Sequence, residues 1–346
     1  MISWSLVLKA ARLPAFAALV TLHGAAASVA ADPITLKFGT TLPGNHYLSE
    51  QLYKKFMAGV ERETNGEIKF EYYPASQLGK DATTLLKSGL LDMAMLIPGL
   101  APEKYPLSAV VDLPQIAGSA CEGSHKAWVL VQPGGVLDKL EYNPAGIRAL
   151  SAQLLAPYAL HTRSKKIEKL ADVKGVKLWV SGAVQQEAVA EMGGIPIRIP
   201  STELYDAATR GTVDGALFPY TGITQYNLEP VLKNAVSGVT FGTGLSFIGT
   251  TEKRWATLSD KHRAVIADEI GKASASFCKW ADETDEGIRK KLSETSGYTV
   301  PELTPEARKE FGAALAAVGD KWAKGMDERG RPGSTVLKAI REAPGQ

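Results

Sequence analysis

Beyond residue 31 the chain carries four histidines, His46, His125, His161 and His262, and two cysteines, Cys121 and Cys278. No two histidines stand at a helical spacing for zinc, and there is no C-x-x-C. The sequence has no G-x-S-x-G elbow, no phosphate-binding P-loop and no G-x-G-x-x-G fingerprint. Gly242-Thr243-Gly244 comes nearest, but Phe247 stands where the third glycine belongs, so a turn is the simpler role. Asp112, Glu203 and Asp214 lack a partner acid at a spacing that marks an acid–base couple. The residues therefore point to recognition rather than reaction, with no catalytic residue, metal or cofactor expected. An enzyme assembled from distant residues is the rival reading. The two cysteines leave a choice between buried thiols, the simpler reading, and a disulfide that an oxidising compartment permits.

The elements that must position a binding site follow from hydrophobic periodicity. Ile34–Thr40 alternates as a strand, and Tyr47–Thr64 places Leu48, Leu52, Phe56 and Val60 on one helical face. Ile68–Tyr72 and the nearly continuous apolar run Leu91–Ile97 read as strands, with a short helix Asp81–Ser88 between them. The alternation restarts after a charged connector, Lys165–Gly175. Strands are expected over Val176–Val180, Ile195–Ile199 and Val213–Phe218, and helices over Val184–Met192 and Glu203–Thr209. These are two α/β units with parallel strands. Asp260–Thr295 has no proline and reads as one long helix, or two nearly in line, that straps two domains together.

The first residues bound the compartment. Lys9 and Arg12 precede the apolar run Leu13–Leu22, and small residues lead to Asp32. That order is an export signal, with cleavage expected near Ala30 or Ala31 and a periplasmic mature protein. The run is about half the length a membrane-spanning helix needs. Lys9 and Arg12 are the only Lys, Arg, Asp or Glu before Asp32, so the remainder holds 37 basic and 37 acidic residues. Zero net charge without a basic stripe argues against a nucleic-acid partner. About 315 residues exceed a typical single core and fit two domains.

Three stretches resemble a known family. Thr64–Gly79 (TNGEIKFEYYPASQLG), followed by Ser88–Met93 (SGLLDM), matches a run T-x-G-x-φ-x-φ-x-φ-y-P-x-x-x-L-G … G-x-x-D-φ, where φ is apolar. Leu170–Val180 (LADVKGVKLWV) matches L-x-D-L-K-G-φ-K-φ-R-φ, and Pro196–Gly215 matches P-V-x-M-P-x-x-E-φ-Y-x-A-L-Q-x-G-x-V-D-G. In this order they resemble solute-binding proteins of the tripartite ATP-independent periplasmic (TRAP) transporters, of the DctP type. The resemblance implies a type II-like periplasmic binding protein with two α/β domains and a strapping helix. It implies domains over 32–155 plus 245–284, and 156–244 plus 285–346. It also implies hinge closure on a small organic acid, and delivery to small and large membrane permease subunits. A ligand-presenting sensor is a further alternative.

The chain departs from the family where the solute should sit. The arginine of K-φ-R-φ, which the resemblance implies would hold a carboxylate, is Trp179 here. The asparagine that often follows V-D-G in the family is Phe218. Indole offers an apolar face and one N–H, not a bidentate charged contact. Candidate solute contacts are therefore His46 and Tyr47 after the first strand, and Pro98 and Gly99 after the third. Tyr158, Trp179, Phe218 and Tyr220 come from the second unit, with Arg198 in the apolar strand IPIRIP. Arg198 needs an acid partner, a ligand or an opening to water. The expected solute is an aromatic or partly apolar organic acid; a neutral or cationic molecule, which an aromatic wall also suits, is the runner-up.

Overall fold

The computed structural model describes Met1, Ile2 and residues 32–345; the export signal falls on residues 3–31, outside the described residues. The chain begins with β1 (Ile34–Gly39), a π-helical turn (Ser49–Tyr53), α1 (Lys54–Glu63), β2 (Ile68–Tyr73), α2 (Ala82–Lys87) and β3 (Met93–Leu96). It continues through α3 (Ala120–Val131), β4 (Ile147–Ala149) and β5 (Gln153–Leu154). A second run holds β6 (Ala159–Thr162), β7 (Lys177–Trp179), α4 (Ala183–Glu191), β8 (Ile195–Ile197), α5 (Leu204–Arg210), β9 (Gly215–Phe218), α6 (Tyr220–Gln225) and β10 (Asn234–Val236). Then come β11 (Leu245–Thr251), α7 (Glu252–Ala256), α8 (Asp260–Ser293), α9 (Pro305–Glu328) and α10 (Gly333–Glu342).

The strands form two sheets, ordered β2-β1-β3-β11-β4 with β5 beside β11, and β10-β6-β9-β7-β8. Each is a lobe with helices against it. The parallel pattern expected from sequence holds for β1 with β2 and β3, and for β7 with β8 and β9. It fails for β11 and β6, which run antiparallel to their neighbours. Both strands enter their sheet directly from the other lobe. No crossover helix turns the chain before they pair, so the parallel direction is not imposed.

Local chemistry explains the shared motifs. Leu52, Phe56 and Val60 are fully buried at i, i+4 spacing, against Leu36 and Phe38 of β1 in one core cluster. Asp92 of the SGLLDM run accepts the Lys37 backbone N–H at 2.8 Å. Asp214 of the V-D-G run accepts the Lys177 N–H at 2.9 Å. Each acid precedes a strand and ties it to its parallel neighbour, β3 to β1 and β9 to β7. These acids build the sheets.

The long helix is single: α8 runs for 34 residues, about 50 Å at 1.5 Å per residue. It packs against α1 and α3 in the first lobe and α6 in the second. Asp282 and Asp285, three residues apart, share a face. Asp282 accepts the Ala120 and Cys121 N–H groups at 2.6 and 3.1 Å, at the start of α3. Asp285 accepts the Thr221 N–H at 2.8 Å, at the start of α6. One face of the strap thus holds helix N-termini from both lobes. Cys121 and Cys278 form a disulfide with Cα atoms 4.8 Å apart, fastening α3 to α8; the two-thiol reading is overturned. α9 packs on α4. α10, which the family resemblance groups with 285–346 in the second domain, packs on α9 and also touches α3 and the 3-10 segment Leu107–Asp112.

Candidate ligand-binding cleft

The carboxyl ends of β1 and β3 open into a cavity of about 240 Å³ whose lining includes Thr41, Lys80, Ile97, Leu100 and Lys104. Pro98–Leu100, just past β3, form a 3-10 turn with Pro98 buried and Gly99 half-buried. The loop after β1 carries His46. Its Nδ1 accepts the Leu48 N–H at 3.2 Å, which places the ring proton on Nε2. Burial lowers its pKa to about 4, so His46 is neutral at physiological pH. Its ring lies 4.2 Å from Tyr47, which in turn approaches Trp280 and Phe277 of α8 at 5.6 and 6.4 Å.

The second lobe supplies an aromatic wall. Trp179 pairs in register with Ala216, so Trp179 and Phe218 fall on the same face of the sheet. Their rings meet edge to face at 4.9 Å. Phe218 also meets Tyr226 at 5.6 Å and Tyr158 at 6.1 Å. Tyr47 lies near enough to Tyr158, Tyr226 and Asp285 for their charges to raise its pKa, behind burial as the larger cause. Of the nine residues singled out in the sequence, Tyr47, Tyr158, Trp179 and Phe218 are thereby brought together, with His46 against Tyr47. The indole N–H of Trp179 is taken by the Ile199 carbonyl at 2.9 Å, so its donor is already used.

Two candidates stand elsewhere. Tyr220 packs edge to face on His161 at 4.9 Å, in a small cluster with Leu292 and Tyr298 beneath the strap. Arg198 is exposed at the end of edge strand β8; among the described residues it has no ion pair, so water meets its charge. Sequence reasoning missed Tyr226. It follows a six-residue helix, belongs to none of the shared motifs and has no periodic signal. It also passed over Asp112, noted only as an unpaired acid. Asp112 is 7% exposed; its Oδ1 accepts the Leu245 N–H at 2.9 Å, and burial pushes its carboxyl up to about 7.

That shift has a measurable consequence. A carboxyl whose folded pKa exceeds its unfolded value lends stability at low pH and loses it as pH rises to the folded pKa. The wild type should therefore lose roughly 2–4 kcal/mol relative to Asp112→Asn between about pH 4 and about pH 7. The neighbours whose ionisation Asp112 affects are Tyr142 and Tyr158, both neutral in that range. His46 and His161, both lowered to about 4 by burial, act in the opposite sense in either protein and cancel in the difference. Urea melts of both proteins across the range check this; a constant difference refutes it.

The comparisons with known proteins agree with this architecture. The model of the DctP family, bacterial extracellular solute-binding protein, family 7, matches residues 38–325. The chain is 26% identical over 324 residues to the C4-dicarboxylate-binding periplasmic protein DctP of Rhodobacter capsulatus, covering 90% of this chain and 92% of that protein. It is 26% identical over 216 residues to a solute-binding protein of Albidiferax ferrireducens, covering 61% of this chain and 63% of that protein. A crystal structure of a marine metagenome TRAP solute-binding protein specific for aromatic acid ligands, with 3-hydroxybenzoate, aligns with a TM-score of 0.79. Its identity is 25%, over 90% of this chain and 98% of that one. With two crossing α/β lobes, a strapping helix and a family match across most of its length, the chain belongs to the bacterial extracellular solute-binding proteins of family 7.

Proposed function

We propose that this protein is the extracytoplasmic receptor of a TRAP-type transporter and binds an aromatic or partly apolar organic acid between its lobes. The observation that carries the reading is the aromatic wall. Trp179 and Phe218 occupy the positions where the family resemblance implies an arginine and an asparagine. With Tyr158 and Tyr226 they form one continuous cluster of rings, and Tyr47 lies near Tyr158 and Tyr226. Ring-bearing solutes gain both apolar burial and edge-to-face contact there. The similar protein specific for aromatic acids supports the same class. A carboxylate would be held by neutral donors, His46 Nε2–H among them, or by Lys80 and Lys104 at the cavity. A small hydrophilic dicarboxylate would bury two charges without the strand arginine, which is costly.

The receptor does not turn its solute over, is exported with its leader cut near Ala30 or Ala31, and hands the solute to small and large permease subunits. The lobes close about the two chain crossings near 155–158 and 241–245. A thermal-shift panel of ring-bearing acids against succinate and malate tests the reading, since a ligand of the native state stabilises by RT ln(1 + [L]/Kd). Ring-bearing acids should give the largest shifts, remain chemically unchanged, and reduce the radius of gyration in solution scattering. Preference for succinate or malate, turnover of the ligand, or an unchanged scattering curve at saturation would each count against it. A cation is the second reading, favoured by the buried carboxyls of Asp112 and Asp285; aromatic amines in the panel decide it.

A further inference from the structure

Phe218 and the helix that follows it are fixed at three points. The Phe218 carbonyl, at the end of β9, accepts the His161 Nε2–H of the neighbouring strand β6 at 3.0 Å. That bond puts the ring proton on Nε2, so Nδ1 accepts the Tyr298 hydroxyl, 3.1 Å away. Burial lowers the His161 pKa to about 4 and keeps the ring neutral at physiological pH. The chain then passes Pro219 into α6, whose Thr221 N–H is held by Asp285 of the strap at 2.8 Å. The backbone around the Phe218 side chain is thus anchored from β6 on one side and from α8 on the other. The third point is Gly222, in the middle of α6.

A Cβ on Gly222 would lie 2.6 Å from Cε1 of the Phe218 ring and 2.8 Å from both Cδ1 and Cζ, closer than real Cβ contacts come. Outside its own stretch of helix, these are the three heavy atoms nearest to that position. The φ of Gly222 is not left-handed, so its backbone does not call for glycine, and alanine is the better helix former. What excludes a side chain at 222 is therefore the ring at 218. The other rings around Phe218 are those of Trp179, Tyr226 and Tyr158, with centroids at 4.9, 5.6 and 6.1 Å. With the Phe218 carbonyl and the start of α6 both held, a methyl group at 222 would make the ring yield, toward those three rings.

We propose that Gly222 is a specificity-determining residue of the receptor: by letting the Phe218 ring lie against the backbone of α6, it sets how large a ring system the solute carries. The inference rests on the aromatic-acid reading above and adds a residue that acts through Phe218 without touching the solute. Phe218 stands where the family resemblance implies an asparagine. An asparagine has no atoms at the Cε1 and Cζ positions, so the glycine is matched to the phenylalanine. A ring drawn back onto α6 admits a larger solute; a ring pushed off α6 crowds Trp179 and admits a smaller one. The fit of one methyl or methylene group in an apolar site discriminates by about 10-fold or more.

Calorimetric titration of the intact mature protein with benzoate and 4-methylbenzoate, one methyl group apart, tests this. Gly222→Ala should lower the affinity for 4-methylbenzoate relative to benzoate by about 10-fold. In a Phe218→Leu background the same alanine should change that ratio by less than about twofold, because the ring it meets is gone. Phe218→Leu alone should shift the ratio toward 4-methylbenzoate. If Gly222→Ala fails to fold, Phe218→Leu decides the matter, and an unchanged ratio in it overturns the inference. An unchanged ratio in a folded Gly222→Ala also overturns it, as does an equal loss for both acids, which a purely structural role predicts. A ratio that shifts as far without the Phe218 ring as with it does the same, since the glycine would then act through another neighbour. These results leave the aromatic-acid reading standing. Binding of succinate but of neither ring acid by the wild type overturns that reading and this inference together.

Discussion

Trp179→Ala should weaken binding of the best ring-bearing acid by about 10- to 100-fold, the loss of one well-packed aromatic contact. It should also cost about 3–5 kcal/mol of stability, because the indole is 3% exposed and packs on Phe218. The two effects need separating. Trp179→Phe keeps a ring at the position but loses the bond from the indole N–H to the Ile199 carbonyl. It should therefore retain most of the affinity while losing part of the stability. Trp179→Arg should reverse the selectivity. It restores the cation that the family resemblance implies, so it should be less stable alone, with an unpaired buried charge, and gain stability from succinate. Titration and melting of the three variants decide the matter. If Trp179→Ala folds and binds the ring acid as tightly as the wild type, the wall is core and not a solute surface.

Breaking the bridge between Cys121 and Cys278 should cost about 3–5 kcal/mol, because it closes a long loop in the unfolded chain. The sequence separation is 157 residues. For a chain of this length that is a fall in Tm of roughly 5–10 °C. The bridge fastens α3 to the strap beside Asp282, so its loss also frees the helix start that Asp282 caps. A serine at both positions should reproduce the effect of reductant, and reductant should then do nothing further. Intact mass under non-reducing conditions establishes that the bridge is present. An unchanged Tm in reductant with the bridge present would show that the strap is held by packing alone.

The strongest sequence motifs turned out to describe scaffold. The T-N-G punctuation ends α1: Thr64 Oγ1 donates to the Val60 carbonyl at 2.8 Å and accepts the Ile68 N–H at 3.2 Å, while Gly66 takes a left-handed φ of 78°. Asp92 and Asp214 splice parallel strands. Such roles are legible because they are local: the partner lies a few residues away or in the next strand of a regular pattern. Candidate solute contacts were legible only through departures from the family pattern, at Trp179 and Phe218, and through the rule that strand carboxyl ends line the crevice. Asp112 had no such signal, since its partner, the Leu245 N–H, lies 133 positions along the chain.

The sequence by itself determined the two α/β units, the long helix and the family. Hydrophobic period and turn residues act over a few positions, and the family stretches fix the topology they belong to. Only the tertiary structure decided the disulfide, the antiparallel entry of β6 and β11, the consumption of the Trp179 N–H by Ile199, the exposure of Arg198 and the meeting of Asp112 with Leu245. Each of these depends on which segments cross between lobes and how closely they approach. A distance between residues 133 positions apart, as Asp112 and Leu245 are, is set by the packing of whole elements, and no local pattern of residue types encodes it.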